Sequence, residues 1–326
     1  MCPTTFQPDI SVIIPIYKVE PYIKRCAVSL FEQTADNCEF IFIDDCSPDN
    51  SVTLLCNVLT DYPNIKERVK IIRHEKNLGL AGARTTGLDN SQGKYVICCD
   101  SDDWVEPQMY KTLYETAVHD DADIVICDYY NNTKSKQTHV SQSVSCNHKA
   151  LLNQVIRGEI HNGLWNKLIR RDIFDRIYPA FIQGVNMWED VSVLPRLVYN
   201  MQKVSYVPQP LYHYNQANSN AYTQLWKPIY TRNIIDAITV SDSFLKSKGV
   251  DVRTLWIRGI YSILYHTHKS QRKEYLNLLF HHVSKSQIDY TVFSTYQKIV
   301  AYSLFNRLDI MADCLIFIKK VTGLYR

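Results

Sequence analysis

Although 46% of its 326 residues are hydrophobic, the chain has no apolar run approaching the roughly 18 residues that a membrane-crossing helix needs. Glycine is scarce, at 10 residues. None stands in a GxGxxG behind a strand or in a GxxxxGK[ST], which excludes the dinucleotide and P-loop ways of cradling phosphate. His74-Glu75 lacks the second His of a zinc-protease motif. Residues 45–50 lack the Gly and distal Glu of a calcium-binding loop. The 10 cysteines form no CxxC pair and no Cys/His spacing for zinc. Cys98 and Cys99 adjoin in an apolar run, and Cys26, Cys56, Cys127 and Cys314 have apolar neighbours. Buried free thiols of a reducing compartment are therefore expected. Residues 1–9 show no cationic segment followed by an apolar one, so no signal peptide is expected and the expected location is cytoplasmic. Repeats and low-complexity tracts are also missing. His266, His268, His281 and His282 lie in basic helical segments without nearby acids and read as ordinary surface or core residues.

The net charge of +3 hides an asymmetry. From Thr223 onward there are 15 Lys and Arg against 7 Asp and Glu, while the preceding residues carry 21 against 26. An acidic front with no nucleic-acid motif argues against DNA or RNA as a partner. The asymmetry suggests two functional regions, residues 1–222 and a basic helical region over 223–326.

Up to residue 128, short apolar runs alternate with helical patterns. Residues 10–17 (ISVIIPIY), 40–44, 69–73, 95–99 and 124–128 read as strands. Helices are expected over about 22–31, 51–62, 80–90 and 107–119. This rhythm predicts an α/β fold, a Rossmann-like, mostly parallel sheet built from βαβ units. Residues 129–148 are rich in Asn, Ser, Thr and Gln and read as a surface insertion. In the last helix, Ile310, Met311, Cys314, Leu315, Ile318 and Val321 form one apolar face, with Arg307, Lys319 and Lys320 near its ends.

Ligands of such sheets bind beyond the carboxyl ends of the strands. Pro15, Tyr17 and Glu20 follow the first strand, Asp44-Asp45 the second, and Asn77-Leu78-Gly79 the third. Asp100-Ser101-Asp102-Asp103 follows the fourth. The carboxylates of this last cluster repel one another unless a cation or a donor lies among them. Hard oxygen ligands suit Mg2+ or Mn2+ with a substrate diphosphate. The plainer reading is that they cap the helix that opens near Pro107.

The ordered blocks SVIIPIYKVEPYI, FIFIDDCSPDNS, NLGLAGARTTG and GKYVICCDSDDW, followed by GLWNKLIRRDIF, MWEDVSVLPRL and PLYHYNQ, resemble family 2 of the inverting glycosyltransferases over about residues 10–215. The resemblance implies a glycosyltransferase A-type fold with a metal-binding DxD. It implies that Pro15, Tyr17 and Glu20 border the nucleotide base and that Asp45 accepts a hydrogen bond from it, most often uracil. Asn77 and Arg84 fall in the block that approaches base and diphosphate. Asp100 and Asp102 match the DxD, with Ser101 between them and Asp103 an alternative metal ligand. Asp190 matches the catalytic base. The chain departs from the family at Lys18, where Asn is usual, and in Ala83-Arg84-Thr85-Thr86-Gly87, which lacks the Asn of ARNxG.

A sugar leaving a nucleoside diphosphate needs cationic help for the departing charge. The acceptor hydroxyl needs one general base, and the leaving diphosphate needs no acid. Glu189-Asp190 also suits a helix N-terminus, and the two readings are compatible. Trp165 and Trp188 are read either as a wall for sugar rings or as core. His213 would contact diphosphate or metal, or pack. The basic tail would lie on an anionic membrane, or its apolar faces would cover the catalytic domain or a second subunit. Expected partners are a nucleotide-sugar donor, probed first as UDP-sugar, and a saccharide or lipid-linked saccharide acceptor in surface polysaccharide assembly. The competing readings are a scaffold subunit that binds nucleotide sugar without turnover, and a sugar nucleotidyltransferase. Intact Asp102 and Asp190 oppose the first. Tyr17-Lys18-Val19-Glu20, where a Gly-rich basic loop belongs, opposes the second.

Overall fold

Ile10–Ile16 (β1) is mostly β-branched, and every one of its residues is buried, as befits a strand covered on both faces. The computed structural model describes residues 6–218 and 226–322, with side chains as far as Lys319. After β1, Ile23–Phe31 (α1) turns Ile23, Cys26, Ala27, Leu30 and Phe31 inward at helical spacing. Cys38–Asp44 (β2), Ser51–Thr60 (α2), Val69–Arg73 (β3), Gly79–Asp89 (α3) and Tyr95–Cys98 (β4) complete the first half. The order β3-β2-β1-β4 is parallel throughout, as the alternation predicts. Helix α3 lies close on the sheet because Gly87 has no side chain. A Cβ there would stand 2.3 Å from Ile13 Cγ2, well inside contact distance.

The second half is mixed rather than parallel. It contains Trp104–Val105 (β5), Met109–His119 (α4), Ile124–Asn132 (β6), Gln137–Val140 (β7), His148–Arg157 (α5), Lys167–Arg170 (β8), Arg171–Asp175 (α6), Glu189–Tyr199 (α7) and Val204–Asn215 (β9). Strand β8 runs antiparallel to both β4 and β6, β9 is parallel to β6, and β5 is antiparallel to β9. The full order is β3-β2-β1-β4-β8-β6-β9-β5, with β7 on β6. The segment expected to be a surface insertion instead continues β6 and returns as β7. Its polar residues serve a buried acceptor. Asp128 takes hydrogen bonds from Gln142 N at 2.8 Å and Tyr206 Oη at 2.6 Å, and pairs with His139 Nε2 at 2.7 Å.

Pro228–Lys246 (α8), Arg253–His266 (α9), Arg272–His282 (α10), Thr295–Phe305 (α11) and Asp309–Thr322 (α12) form the helical region. One apolar cluster runs from Ile13 and Ile43 in the sheet through Leu194 and Leu197 in α7 to Ile234, Ile260, Leu279, Leu304 and Ile316. The core therefore continues across the two halves. The boundary expected at residues 222–223 lies outside the described residues. A second cluster, with Val12, Phe42, Leu30 and Leu113, covers the other face of the sheet. Among the described residues no helix is long and apolar enough to cross a membrane.

The expected burial of the thiols is corrected in part. Cys26, Cys98, Cys99 and Cys127 are buried, but Cys56 and Cys314 are exposed. On α2 the inward positions are Ser51, Leu55 and Val58, which rotates Cys56 outward. Helix α12 leaves much of its apolar face uncovered. Ala312 and Ile316 face inward, while Ile310 is 78% exposed, Phe317 65% and Ile318 51%. The orientation follows from charge. Arg272, with 4% side-chain exposure, draws in Asp309 at 3.0 Å and Asp313 at 2.6 Å, and an unpaired buried guanidinium would be costly. Leu315 packs partly on the core, and the side chain of Val321 is outside the described set.

Candidate active site

The loops after β1 and β2 are tied together by side-chain oxygens. Ser47 Oγ accepts from Lys18 N at 2.8 Å, Ser51 Oγ from Val19 N at 3.2 Å and Asp49 Oδ2 from Glu20 N at 3.0 Å. The Glu20 carboxylate accepts from Asn50 N at 3.0 Å and from Asn50 Nδ2. These contacts hold Lys18 at φ 56°. That left-handed region suits Asn far better than Lys, so the unusual residue at this position sits on strained backbone. Tyr17 is 43% exposed at the mouth of the loop. Pro15 is buried, and its carbonyl accepts from Ser101 Oγ at 2.6 Å.

Asp45 is 3% exposed and caps α3 across the sheet edge. Its Oδ1 accepts from Leu78 N at 2.7 Å and lies 2.7 Å from His74 Nδ1, while Oδ2 accepts from Gly79 N at 2.8 Å. A carboxylate on the first amides of a helix stabilises by about 1 kcal/mol. Asn77 Nδ2 donates to the Asp45 carbonyl at 3.0 Å. Asn186 Oδ1 accepts from Ala81 N at 3.1 Å, so the segment before α7 also reaches this helix end. A Cβ on Gly79, at φ +79°, would fall 2.4 Å from that oxygen.

The acidic turn after β4 separates into two kinds of carboxylate. Asp103 is fully buried, and its oxygens accept from Tyr212 Oη at 2.6 Å and Asn215 N at 2.7 Å. Burial and the neighbouring Asp102 and Asp100 push it well above the usual carboxylate range. Asp103 thus fastens the turn to β9. Asp100 and Asp102 reach the partly open side. Asp102 accepts from Asn218 Nδ2 at 2.8 Å, and burial together with Asp100 pushes it up to about 6. Among the described residues no group of His, Cys, Asp and Glu side chains makes a ready cage for a metal. A repelling pair of carboxylates nonetheless fits Mg2+ or Mn2+, which keep waters and take further oxygens from a phosphate.

Arg84 connects this turn to α7. It is 1% exposed and donates through Nη2 to Asp100 Oδ1 at 3.0 Å and through Nη1 to Glu189 Oε1 at 2.7 Å, with Asp190 Oδ1 at 3.9 Å. Burial works against the cation, but Asp100, Glu189 and Asp190 outweigh it and hold it charged. Arg84 is therefore a buried bridge and does not itself reach the open side. Burial and Asp190 push Glu189 well above its ordinary range. For Asp190, burial is outweighed by Arg84, Glu189 and His161, and its carboxyl is held low. Of the pair, Glu189 is thus the carboxyl that takes a proton more readily and Asp190, in the first turn of α7, the one that gives it up more readily. Trp188, immediately before, is half-buried at φ 64°. It packs against α9, where a Cβ on Gly259 would approach Trp188 Cζ3 at 3.3 Å.

Sequence reasoning missed two groups beside Asp190. Lys167 is fully buried, and its ammonium donates to the carbonyls of His161 at 2.8 Å and Gly163 at 2.7 Å and to Asn166 Oδ1 at 2.7 Å. Burial pushes it down to about 7 despite the charge of Asp190. His161 Nδ1 accepts from Gly163 N at 2.9 Å, which leaves the ring proton on Nε2. Burial, Lys167 and Arg258 push it down to about 4, so it is a neutral donor near Asp190. The only signal was their place in the GLWNK block and the residues just before it.

For Trp165 and His213, each read as a ligand contact or as packing, the structure shows packing. Trp165 is 2% exposed. It stacks on Tyr212 at 4.4 Å and Tyr214 at 5.5 Å, with Tyr129 edge-on at 4.8 Å, so no ring face is free for a sugar. His213 is sandwiched between Trp104 at 4.7 Å and Tyr130 at 4.8 Å, and its Nε2 meets Glu106 at 2.8 Å. Both rings fill the aromatic layer between β9 and its neighbours.

Residues 11–178 match the glycosyl transferase family 2. An uncharacterized glycosyltransferase of Bacillus subtilis (strain 168), EpsJ, is 30% identical over 74% of this chain and 71% of its own length. Among solved structures, residues 1–349 of S. aureus TarS superpose with a TM-score of 0.69 at 16% identity, covering 97% of this chain and 93% of that one. The same fragment has also been solved with UDP-GlcNAc. The mannosyltransferase PcManGT of Pyrobaculum calidifontis, solved with GDP-Man and Mn2+, gives a TM-score of 0.54 at 13% identity over 98% of this chain and 88% of that one. The curled mixed sheet is the glycosyltransferase A-type fold, and the chain belongs to the family 2 glycosyltransferases.

Proposed function

We propose that this glycosyltransferase moves a sugar from a UDP-sugar to a saccharide hydroxyl, with inversion at the anomeric carbon and with Asp190 as the base. The observation that carries the reading is the Arg84 bridge, which donates to Asp100 and Glu189 at 3.0 and 2.7 Å. It joins the donor-side carboxylates to the base in one buried network. Tyr17, the Asp45 carboxylate, Asn77 and the Asp100-Ser101 turn border the space assigned to the nucleotide. Asp102, with Asp100 beside it, is assigned to a Mn2+ or Mg2+ ion, which would supply positive charge opposite the departing diphosphate. Asp103 is assigned to holding the turn. Asp190, ionised and set at a helix N-terminus, takes the proton of the acceptor hydroxyl as that oxygen attacks the face opposite the diphosphate. Neutral His161 and half-buried Trp188 flank the acceptor side.

The acceptor is assigned as a saccharide, free or lipid-linked, in surface polysaccharide assembly, with the helical region meeting a membrane or a second subunit. The test is donor binding and hydrolysis across UDP- and GDP-sugars with Mn2+, Mg2+ or EDTA, using Asp102→Ala and Asp190→Asn. Expected are metal-dependent binding of UDP-sugars that is lost in Asp102→Ala, and turnover without loss of binding affected in Asp190→Asn. Binding indifferent to EDTA and to Asp102→Ala would remove the metal from the reading. An acceptor product with retained configuration would remove Asp190 as base.

A further inference from the structure

We propose that α12 is the face by which this protein rests on an anionic lipid surface, lying in the plane of the headgroups. The helix spans 14 residues, about 21 Å at the usual rise. At 100° per residue, positions 310, 311, 314 and 317 lie opposite Ala312 and Ile316, the two buried residues. Ile310 is 78% exposed, Phe317 65% and Met311 45%, and Cys314 is exposed as well. The outward side is thus large and apolar where an ordinary surface helix carries charge.

Charge selects the occupant. Residues 294–326 contain Lys298, Arg307, Lys319, Lys320 and Arg326 against only Asp309 and Asp313. Both carboxylates are turned inward onto Arg272, at 3.0 and 2.6 Å. Lys298 and Arg307 are exposed. An apolar stripe with exposed Lys298 and Arg307 on the same terminal helices, and with its two acids paired to Arg272, complements a surface of anionic headgroups over hydrocarbon. A second copy meets it less well. In a two-fold interface the same patch faces itself, so the cations would oppose one another with no acid to pair. The proposal rests on the transferase reading above only for its purpose, which is to hold the enzyme where a lipid-linked acceptor is presented.

The test is flotation of the full-length protein with vesicles of phosphatidylcholine alone, and of three parts phosphatidylcholine to one part phosphatidylglycerol. The expected result is flotation with the anionic vesicles, weakened by added salt. In Ile310→Glu/Phe317→Glu the partition coefficient should fall by about tenfold or more. Lys298→Glu/Arg307→Glu should weaken anionic binding while leaving the apolar stripe intact. An unchanged melting temperature and unchanged UDP-sugar binding identify both variants as folded. Absence of flotation, or equal flotation of wild type and the Ile310/Phe317 variant, overturns the proposal. So does a dimer seen by light scattering that this variant abolishes, since the face would then be a self-interface. A protein that floats as expected but binds no nucleotide sugar keeps the docking face and loses the transferase mechanism.

Discussion

The two nitrogens of the Arg84 fork divide between Asp100 in the turn after β4, at 3.0 Å, and Glu189 beside Asp190, at 2.7 Å. Truncation to Arg84→Met leaves a buried Glu189 facing Asp190 with no cation. The expected cost is about 3 kcal/mol or more, read as a clear drop in the denaturant midpoint at unchanged slope. Arg84→Lys is expected to fall between, because a single ammonium cannot fork. A midpoint in Arg84→Met within error of wild type would show that the network does not need its cation.

Despite its burial, the Asp190 carboxyl is held low by Arg84 and by its hydrogen bond with Glu189, so it is ready to accept a proton at neutral pH. Asp190→Asn keeps shape and hydrogen bonding but cannot take the proton. Transfer is expected to drop by about 10²–10⁴-fold, with the affinity for UDP-sugar unchanged in calorimetry. Equal losses in affinity and turnover would instead mark Asp190 as a donor-binding group.

Lys18 occupies φ 56° because the amides on either side of its Cα are committed to the β1–α1 turn. Lys18→Asn should raise stability by about 1 kcal/mol, since Asn tolerates the left-handed region. Thermal melting measures this directly. A lower melting temperature would mean that the contact of Lys18 Nζ with the Tyr17 ring, at 5.2 Å, outweighs the strain.

His161 titrates near 4 in the folded protein, below its ordinary 6.5, chiefly because it is buried. The unfolded chain therefore binds the extra proton first. The stability due to the neutral ring is complete above about 6.5 and is lost as pH falls towards 4, up to about 3 kcal/mol. His161→Gln should flatten this part of the stability curve between pH 6.5 and 4. Parallel curves for variant and wild type would place the acid sensitivity elsewhere.

The carboxyl-end loops were legible because strands β1 to β4 are short, mainly apolar runs followed by polar residues, and parallel sheets collect those ends on one edge. The alternation could not reveal that β8 returns antiparallel between β4 and β6, since a short LIR-type run has the same appearance in either direction. Nor could it show that Arg84 is buried. A charge in a block that resembles a ligand-binding one reads as a ligand contact until its carboxylate partner, at separation 105, is seen. Trp165 was ambiguous for the same reason, as its stacking partners Tyr212 and Tyr214 come from a strand far along the chain. On α12 the apolar periodicity was correctly located but its direction depended on Arg272, which sits 37 and 41 residues before its two partners.

The family match ends at residue 178, and Asp190, the proposed base, stands on supports from beyond it. Asn233 of α8 donates to the Gly184 carbonyl at 2.8 Å and accepts from Asn186 N at 3.2 Å. Gly259 of α9 leaves room for Ile238, whose Cδ1 would lie 2.1 Å from a Cβ there, and for Trp188. Anyone grafting acceptor regions between relatives must therefore place the joint ahead of residue 184. Residues 184–190 and helices α8 and α9 travel as one cassette, and a splice between the base and those helices would separate a carboxylate from its splint.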